Sequence, residues 1–537
     1  MMKRFVGPSL LVVLVGSLLV QLPMAIADRT NSYTFFDPIV EVFGVLNDDF
    51  VTSIDPDTRD QMQRRMIDAA IDVLDDPYTT YVPPANTSDF NKAVRGEYVG
   101  IGAEVNVINN YLTIVTPIDH SPALEAGLRA GDVVLEIEGE STFQLDINEC
   151  IERLMGKPNT DVNVRVRHDD DTEQDLVITR RQIVTPTVKG VRRNGEDWNY
   201  CVDADFGIGY LRVTQFNANT VEEMQTALRG IQNTGLNGLI LDLRDNPGGA
   251  LNAAVGMADL FLDDGRIVTV RPRQGGEQSW DARADGTLPF FPMVVLINDS
   301  SASASEIVAG ALQENGRAKV LGMRSFGKGS VQEIRPLRFG QGTLKITTAD
   351  YLLPSGRNLN RYRTDDASIW GVDPDPGMVL TMTDDERLDM FRARRDFEII
   401  RAASDDAAEC ADVAWVRSTL LDEQLAQAIE ALQVRLDGDW PQISEDDAES
   451  ATYAIELDRQ IERRKQLLEA LAQVDGRIDE LATGENAIES LLPEDADLTD
   501  GTIVVRDKYG NVIGEYRIEG GDVAVALNAI DVEKVDN

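Results

Sequence analysis

The chain has 537 residues, 43% hydrophobic and 27% charged, a composition that excludes a disordered, fibrous or polytopic membrane protein and implies roughly three to five folded units of about 100 to 200 residues each. With 92 acidic against 51 basic side chains the net charge is −41, a surface that repels phosphate backbones and argues against nucleic-acid binding. The only histidines are His120 and His168, and the only cysteines Cys150, Cys201 and Cys410, so a His-rich zinc site is excluded, an enzymatic base is expected to be another residue type, and the cysteines read as buried or incidental thiols.

Residues 1–27 carry Lys3-Arg4, an apolar run over 5–20 and the small-residue box Ala25-Ile26-Ala27. That order predicts a signal peptide, or a membrane anchor, because 5–27 is just long enough to span a bilayer. Either outcome carries everything after it across a membrane, so the working domains are expected to be extracytoplasmic and to meet the membrane only through this segment. Over 34–84 apolar residues recur at helical spacing, which predicts two helices broken near Asp55-Pro56-Asp57 and ended at Asp75-Asp76-Pro77-Tyr78.

Residues 91–184 change to short β-rich runs at 101–105, 111–115, 132–137 and 162–167, with one helical run at 146–154. Tyr98-Val99-Gly100-Ile101-Gly102 precedes a strand, and Ser121-Pro122-Ala123-Leu124-Glu125-Ala126-Gly127-Leu128 is followed by Gly131-Asp132. In these residues the segment resembles a PDZ domain. Backbone N–H groups of Val99, Gly100, Ile101 and Gly102 would then capture a chain-terminal carboxylate, while the open strand edge accepts the peptide as an added strand.

From 206 the pattern is strand then helix. The apolar run 238–244 leads into Asp245-Asn246-Pro247-Gly248-Gly249 and a helical run over 250–262. The run 293–297 leads into Asn298-Asp299-Ser300-Ser301-Ala302-Ser303-Ala304-Ser305-Glu306 and a helix over 307–314. Two buried strands that each feed a helix place both turns side by side at the strand C-termini. Beyond 384 a charge-rich helical pattern at 420–436 and 455–481 predicts a solvated amphipathic hairpin or a partner contact, and 503–518 reads as a β-hairpin centred on Tyr509-Gly510-Asn511.

Most serines at a strand-to-helix turn are helix caps. One of the four between 300 and 305 is nonetheless a candidate nucleophile, because helix N-terminal N–H groups can stabilise an oxyanion. The matching base candidate is Lys328 in Phe326-Gly327-Lys328-Gly329-Ser330-Val331-Gln332, with glycines on both sides and Glu333 as the nearest acid in sequence. Bringing a lysine from about 10.4 towards about 7 takes roughly 4 kcal/mol, which apolar burial can supply. Gln332, four residues on, is placed to orient the amine through a neutral hydrogen bond.

Together these pieces resemble the carboxy-terminal processing peptidases of serine peptidase family S41, whose motifs D-L-R-x-N-P-G-G, S-A-S-A-S-E and F-G-K-G-x-x-Q all stand here in order. The resemblance spans about 34–376. It implies Ser303 as nucleophile, Lys328 as general base, Gln332 as its orienting residue, and an oxyanion hole from the Ala304 N–H with one N–H of Gly248 or Gly249; the residues alone do not choose among the serines. No metal or cofactor is implied. The implied fold is α+β multidomain: a helical N-terminal segment (34–84), a PDZ domain (91–184), a ββα-layered, ClpP/crotonase-like protease core (190–380) and an acidic helical C-terminal extension (384–537). The implied partners are proteins or peptides with free C-termini, with a homo-oligomer or an activating adaptor left open. One departure concerns gating: many relatives carry an arginine in an I-R-G turn where Leu154-Met155-Gly156 stands here. Two rival readings are a PDZ adaptor on a non-catalytic protease core and an acyl-transfer or hydratase-type enzyme, the latter requiring a coenzyme pocket for which only Arg244 is a basic candidate.

Overall fold

The computed structural model describes residues 34–441 except 88–89, 91–97, 233–234, 363–369 and 402–409, with part of a helix between 457 and 477 and two strands beyond it. The expected signal or anchor at 1–27 lies outside the described residues. Helices α1 (Asp37–Asp49) and α2 (Pro56–Asp72) meet at the expected break, where Asp55 caps α2 by accepting from the Thr58 N–H at 2.8 Å and Pro56 opens the helix. Strand β1 (Thr80–Val82) then joins this segment to the core by pairing antiparallel with residues 343–345. That pairing delivers Tyr78 to the candidate active site.

The β-rich segment contains β2 (Tyr98–Gly100), β3 (Ala103–Ile108), β4 (Tyr111–Pro117), helix α3 (Pro122–Glu125), β5 (Val133–Ile137), helix α4 (Ile147–Leu154), β6 (Asp161–Arg167), β7 (Glu173–Thr179) and β8 (Arg181–Ile183). Strands β3 to β7 run in sequence order as an antiparallel sheet, and β2 pairs with β8. Ser121 caps α3 and Asp146 caps α4. Strand β7 is not among the expected runs, because only Leu176 and Ile178 of its seven residues are buried.

The core contributes β9 (Val188–Lys189), β10 (Cys201–Asp203), β11 (Ile208–Val213), α5 (Thr220–Gln232), β12 (Gly238–Asp242), α6 (Leu251–Asp259), β13 (Arg266–Pro272), β14 (Gln278–Asp281), β15 (Met293–Ile297), α7 (Ala304–Glu314), β16 (Lys319–Gly322), β17 (Ser330–Pro336) and β18 (Thr343–Leu352). One sheet runs β9-β11-β12-β15-β16, parallel from β11 onward. A second, antiparallel sheet runs β1-β18-β13-β14, with β17 on β18.

Every residue of β12 and β15 is buried, so both faces of the parallel sheet need cover. Leu239, Leu241, Met293 and Val295 face a core shared with α5, α6 and α7. Ile240, Val294 and Leu296 face a second core, filled by Leu425, Ile429 and Leu432. These belong to helix α9 (Glu423–Asp437), which comes after α8 (Asp384–Glu398). The expectation of a solvated hairpin at 420–436, and of an extension beginning at 384, is therefore corrected: 384–437 completes the core. Residues 449–537 form a separate unit. Within it Leu457, Ile461 and Leu467 are exposed, and Thr502–Arg506 pairs antiparallel with Val512–Arg517 as the expected hairpin, whose centre at 509–511 lies outside the described residues.

The cysteine reading is also corrected. Cys201 and Cys410, 209 residues apart, form a disulfide, and only Cys150 is a buried thiol. The bridge ties β10 to the chain leading into α9, where the Ala411 N–H donates to the Cys201 carbonyl at 3.1 Å. Spacing carries no sign of it, because the two partners meet only once both sheet edge and C-terminal segment are folded.

Candidate active site

The turns after β12 and β15 lie side by side and are bolted together by the serines. Ser301 Oγ donates to the Leu243 carbonyl at 2.8 Å and Ser305 Oγ to the Asn246 carbonyl at 2.9 Å. Ser300 lies outside this core, beside Asp299 and Arg387. Ser303 is different: its φ of 56° is one that L-residues rarely adopt, costing about 1–3 kcal/mol. Its hydroxyl is bonded to no carbonyl of the loops. Geometry thus separates four serines that the sequence left equivalent.

Gly248, at φ 99°, lies against this elbow, where an added Cβ would come within 2.8 Å of Ser303 Cβ and 2.6 Å of the Ala302 carbonyl oxygen. No other residue fits there. The Gly248 N–H donates to Asn246 Oδ1 at 2.8 Å. The Gly249 and Ala304 N–H groups, by contrast, have no acceptor among the described residues. Of the two glycines, Gly249 is the one with a donor to offer an oxyanion.

Beneath the Asp242-Leu243-Arg244 stretch sits a fully buried ionic network. Arg244 donates to both Asp242 oxygens (2.9 and 2.7 Å) and both Asp422 oxygens (2.8 and 2.7 Å). Arg394 of α8 adds a bond to Asp422 at 3.2 Å, and Tyr210 Oη donates to Asp242 at 2.7 Å. Burial works to raise the Asp242 carboxyl, but Arg244 and Arg394 hold it well below the ordinary range. Two cations face two anions, the pairing that makes burying charge tolerable, although Arg394 Nη1 is buried with no hydrogen-bond partner among the described residues. Asp422 and Arg394 were not read from the sequence.

Glu306, fully buried, joins the nucleophile candidate to the base candidate. Its Oε2 accepts from the Ser303 N–H (2.7 Å) and the Lys328 N–H (2.9 Å); its Oε1 accepts from the Gly327 N–H and Ser325 Oγ (both 2.6 Å). Burial pushes its carboxyl upward against these four donors. Ser303-x-x-Glu306 is a capping-box spacing, the signal that could have found it.

Lys328 is half-buried, and burial lowers its amine, aided by the nearby Lys345 and opposed by Glu306. The acid that reaches the lysine is thus Glu306, not Glu333, which pairs with Arg335 on the surface. No hydrogen bond joins Lys328 Nζ to Ser303; the amine instead lies 4.9 Å from the ring centroid of Tyr78. The expected Gln332 contact is absent as well. The Gln332 amide donates to Ser330 Oγ (2.9 Å) and Thr347 Oγ1 (3.2 Å). Lys328 precedes β17 in a loop, so strand alternation does not carry from it to Gln332; the bulge opposite Val331 and Gln332 places its extra residue, Thr348, in β18.

In the β-rich domain, Val99, Gly100, Ile101 and Gly102 line a cleft of about 300 Å3 with Ile151, Leu154, Met155 and Ile183. The Ile101 and Gly102 N–H groups have no acceptor among the described residues. Gly102, at φ 78°, packs so tightly on Ser121 that a Cβ would approach to 2.5 Å. At the departure from I-R-G, Arg180 donates to the Arg153 and Leu154 carbonyls at 2.8 and 3.0 Å, closing the end of α4.

Residues 207–376 match the family model of peptidase family S41, and 113–168 match a PDZ domain. The chain is 40% identical over 290 residues to a carboxy-terminal-processing protease of Bartonella bacilliformis, covering 53% of this chain and 64% of that one. It is 35% identical over 298 residues to a carboxyl-terminal-processing protease of Synechocystis, covering 55% and 68%. A probable CtpA-like serine protease of Staphylococcus aureus is 32% identical over 335 residues, covering 62% and 63%. The chain therefore spans about two thirds of the length of these relatives. Among solved structures, a photosystem II D1 C-terminal processing protease is 27% identical, covers 62% of this chain and 85% of its own, and superposes loosely at a TM-score of 0.37.

Proposed function

The chain belongs to peptidase family S41, among the carboxy-terminal processing proteases, and on that premise we propose that it is an exported serine endopeptidase using Ser303 and Lys328 and recognising substrate C-termini through its PDZ domain. The observation that carries this reading is the Glu306 carboxylate, which binds the backbones of the strained Ser303 and of Lys328 into one buried site. A substrate C-terminus binds the apolar cleft at 99–102 and the chain reaches Ser303. Neutral Lys328 takes the Ser303 hydroxyl proton as Oγ adds to the scissile carbonyl. The oxyanion takes the Ala304 and Gly249 N–H groups. The C–N bond then breaks as Lys328 returns the proton to the leaving amine. Water, deprotonated by Lys328, releases the acyl group. No metal or cofactor enters any of these steps.

Export draws support from the Cys201–Cys410 bridge, since disulfides persist in oxidising compartments. The hydratase or acyl-transfer reading loses its basic candidate, because Arg244 is fully buried and paired. The adaptor reading draws on the absence of a Lys328–Ser303 hydrogen bond. One experiment separates it from the protease: cleavage of an unfolded protein with an apolar tail by the parent, by Ser303→Ala, and with the substrate's C-terminus amidated. Cleavage by the parent alone, weakened by amidation, is expected; equal cleavage by Ser303→Ala would overturn the assignment.

A further inference from the structure

Tyr78 enters the core from the N-terminal segment, held by backbone rather than by its own hydroxyl. Thr79 Oγ1 accepts from the Thr347 N–H at 3.1 Å, and the next residues, as β1, pair with β18. The tyrosine ring is edge-on to Tyr362, with centroids 6.3 Å apart, and its face is turned to Lys328 Nζ at 4.9 Å. Its hydroxyl is buried and has no hydrogen-bond partner among the described residues. Burial pushes that hydroxyl up to about 12, so it stays a neutral phenol at physiological pH. The charged groups facing the amine are Lys345 of β18, which disfavours its protonated form, and Glu306 of α7, which favours it.

A ring face within about 6 Å attracts an ammonium and not a neutral amine. The base reading needs the opposite species: a neutral amine within hydrogen-bond reach of Ser303 Oγ. Both cannot hold at once, so the two sites for the amine compete. Building on the reading of Lys328 as base, we propose that Tyr78 is its positioning residue: the ring parks Lys328 in its protonated form away from Ser303, and catalysis begins when the amine leaves that face and loses its proton. The N-terminal segment then controls how much of the enzyme carries an engaged base, although it supplies no atom to the reaction.

The ring stabilises the ammonium and holds its titration at higher pH. Removing it moves the acidic limb of kcat/KM to lower pH, by about half a unit to one and a half units. Tyr78→Leu and Tyr78→Met, the latter a flexible filler of the same space, should both show this shift. Tyr78→Phe, which keeps the ring, should retain the parent limb. A purely packing role would lower the melting temperature without moving the limb. The same titration is read without catalysis by reductive methylation of Lys328 across pH, resolved by mass spectrometry in the Ser303→Ala background. An unmoved Lys328 titration in folded Tyr78→Leu and Tyr78→Met proteins, or an equal shift in Tyr78→Phe, would overturn the proposal. Full cleavage by Lys328→Ala would instead sink the base reading, which the methylation measurement does not depend on.

Discussion

The serine half and the lysine half of the site are both loops at strand ends, yet they are held differently. Around Ser303 each neighbour is tied: Ser301 and Ser305 to the adjacent turn, Gly248 against the elbow, Arg244 to two carboxylates below. Around Lys328 the backbone is fixed by Glu306, but the amine rests on a ring face and Gln332 bonds elsewhere. Under the proposed mechanism the first half is preorganised for charge that develops on an oxyanion. The second, under the same mechanism, must pass a proton from Ser303 to the leaving amine, and a base that shuttles cannot be bolted at both ends. Rigidity and freedom are divided between the halves as the roles proposed for them require.

The largest expected effect tests the rigid half. Asp422→Ala leaves Arg244 and Arg394 buried against Asp242 alone, and loss of one member of such a network costs about 3–5 kcal/mol. Thermal melting should drop steeply and cleavage should vanish with the displaced turn. A loss under about 1 kcal/mol would mean that the turn is held by its serine bonds instead, and the contrast with the lysine half would weaken.

Glu306→Gln tests the link between the halves, with a smaller effect. The amide nitrogen that replaces one oxygen must face N–H donors at 2.6–2.9 Å, whichever way the side chain turns. An unmet pair of this kind costs about 2 kcal/mol, or roughly 30-fold in cleavage rate if it is spent at the site. The readout is kcat against melting temperature: a stability loss with kcat intact would show that Glu306 braces the fold and not the geometry of the site.

Much of the rigid half was legible because its signals are local. The run 238–242 and the run 293–297, each leading into glycine- or serine-rich turns, give strand, loop and helix directly, and the adjacency of the two turns comes from parallel strand packing. The same runs contained a clue that went unused: strands apolar at every position need cover on both faces, and α9 is the cover for Ile240, Val294 and Leu296. The illegible remainder lies at long range. Arg244 meets Asp422 across 178 residues and Cys201 meets Cys410 across 209, with no periodicity to announce either. On the lysine side, period-two reasoning fails over only four residues because Lys328 stands in the loop before β17, where strand alternation does not hold.

Gln332 sets the smallest and most discriminating test. In this structure Gln332 holds only Ser330 and Thr347 through its amide nitrogen, so Gln332→Ala should cost at most about 1 kcal/mol of stability. If the side chain turns to Lys328 once the amine leaves Tyr78, kcat should fall well beyond that stability loss while KM stays unchanged, because the contact would exist only in the engaged state. If kcat is untouched, Gln332 belongs to the framework of the second sheet and the lysine half has no orienting partner but the Tyr78 ring and the substrate. Either result measures how much of the lysine's freedom survives when the site is at work.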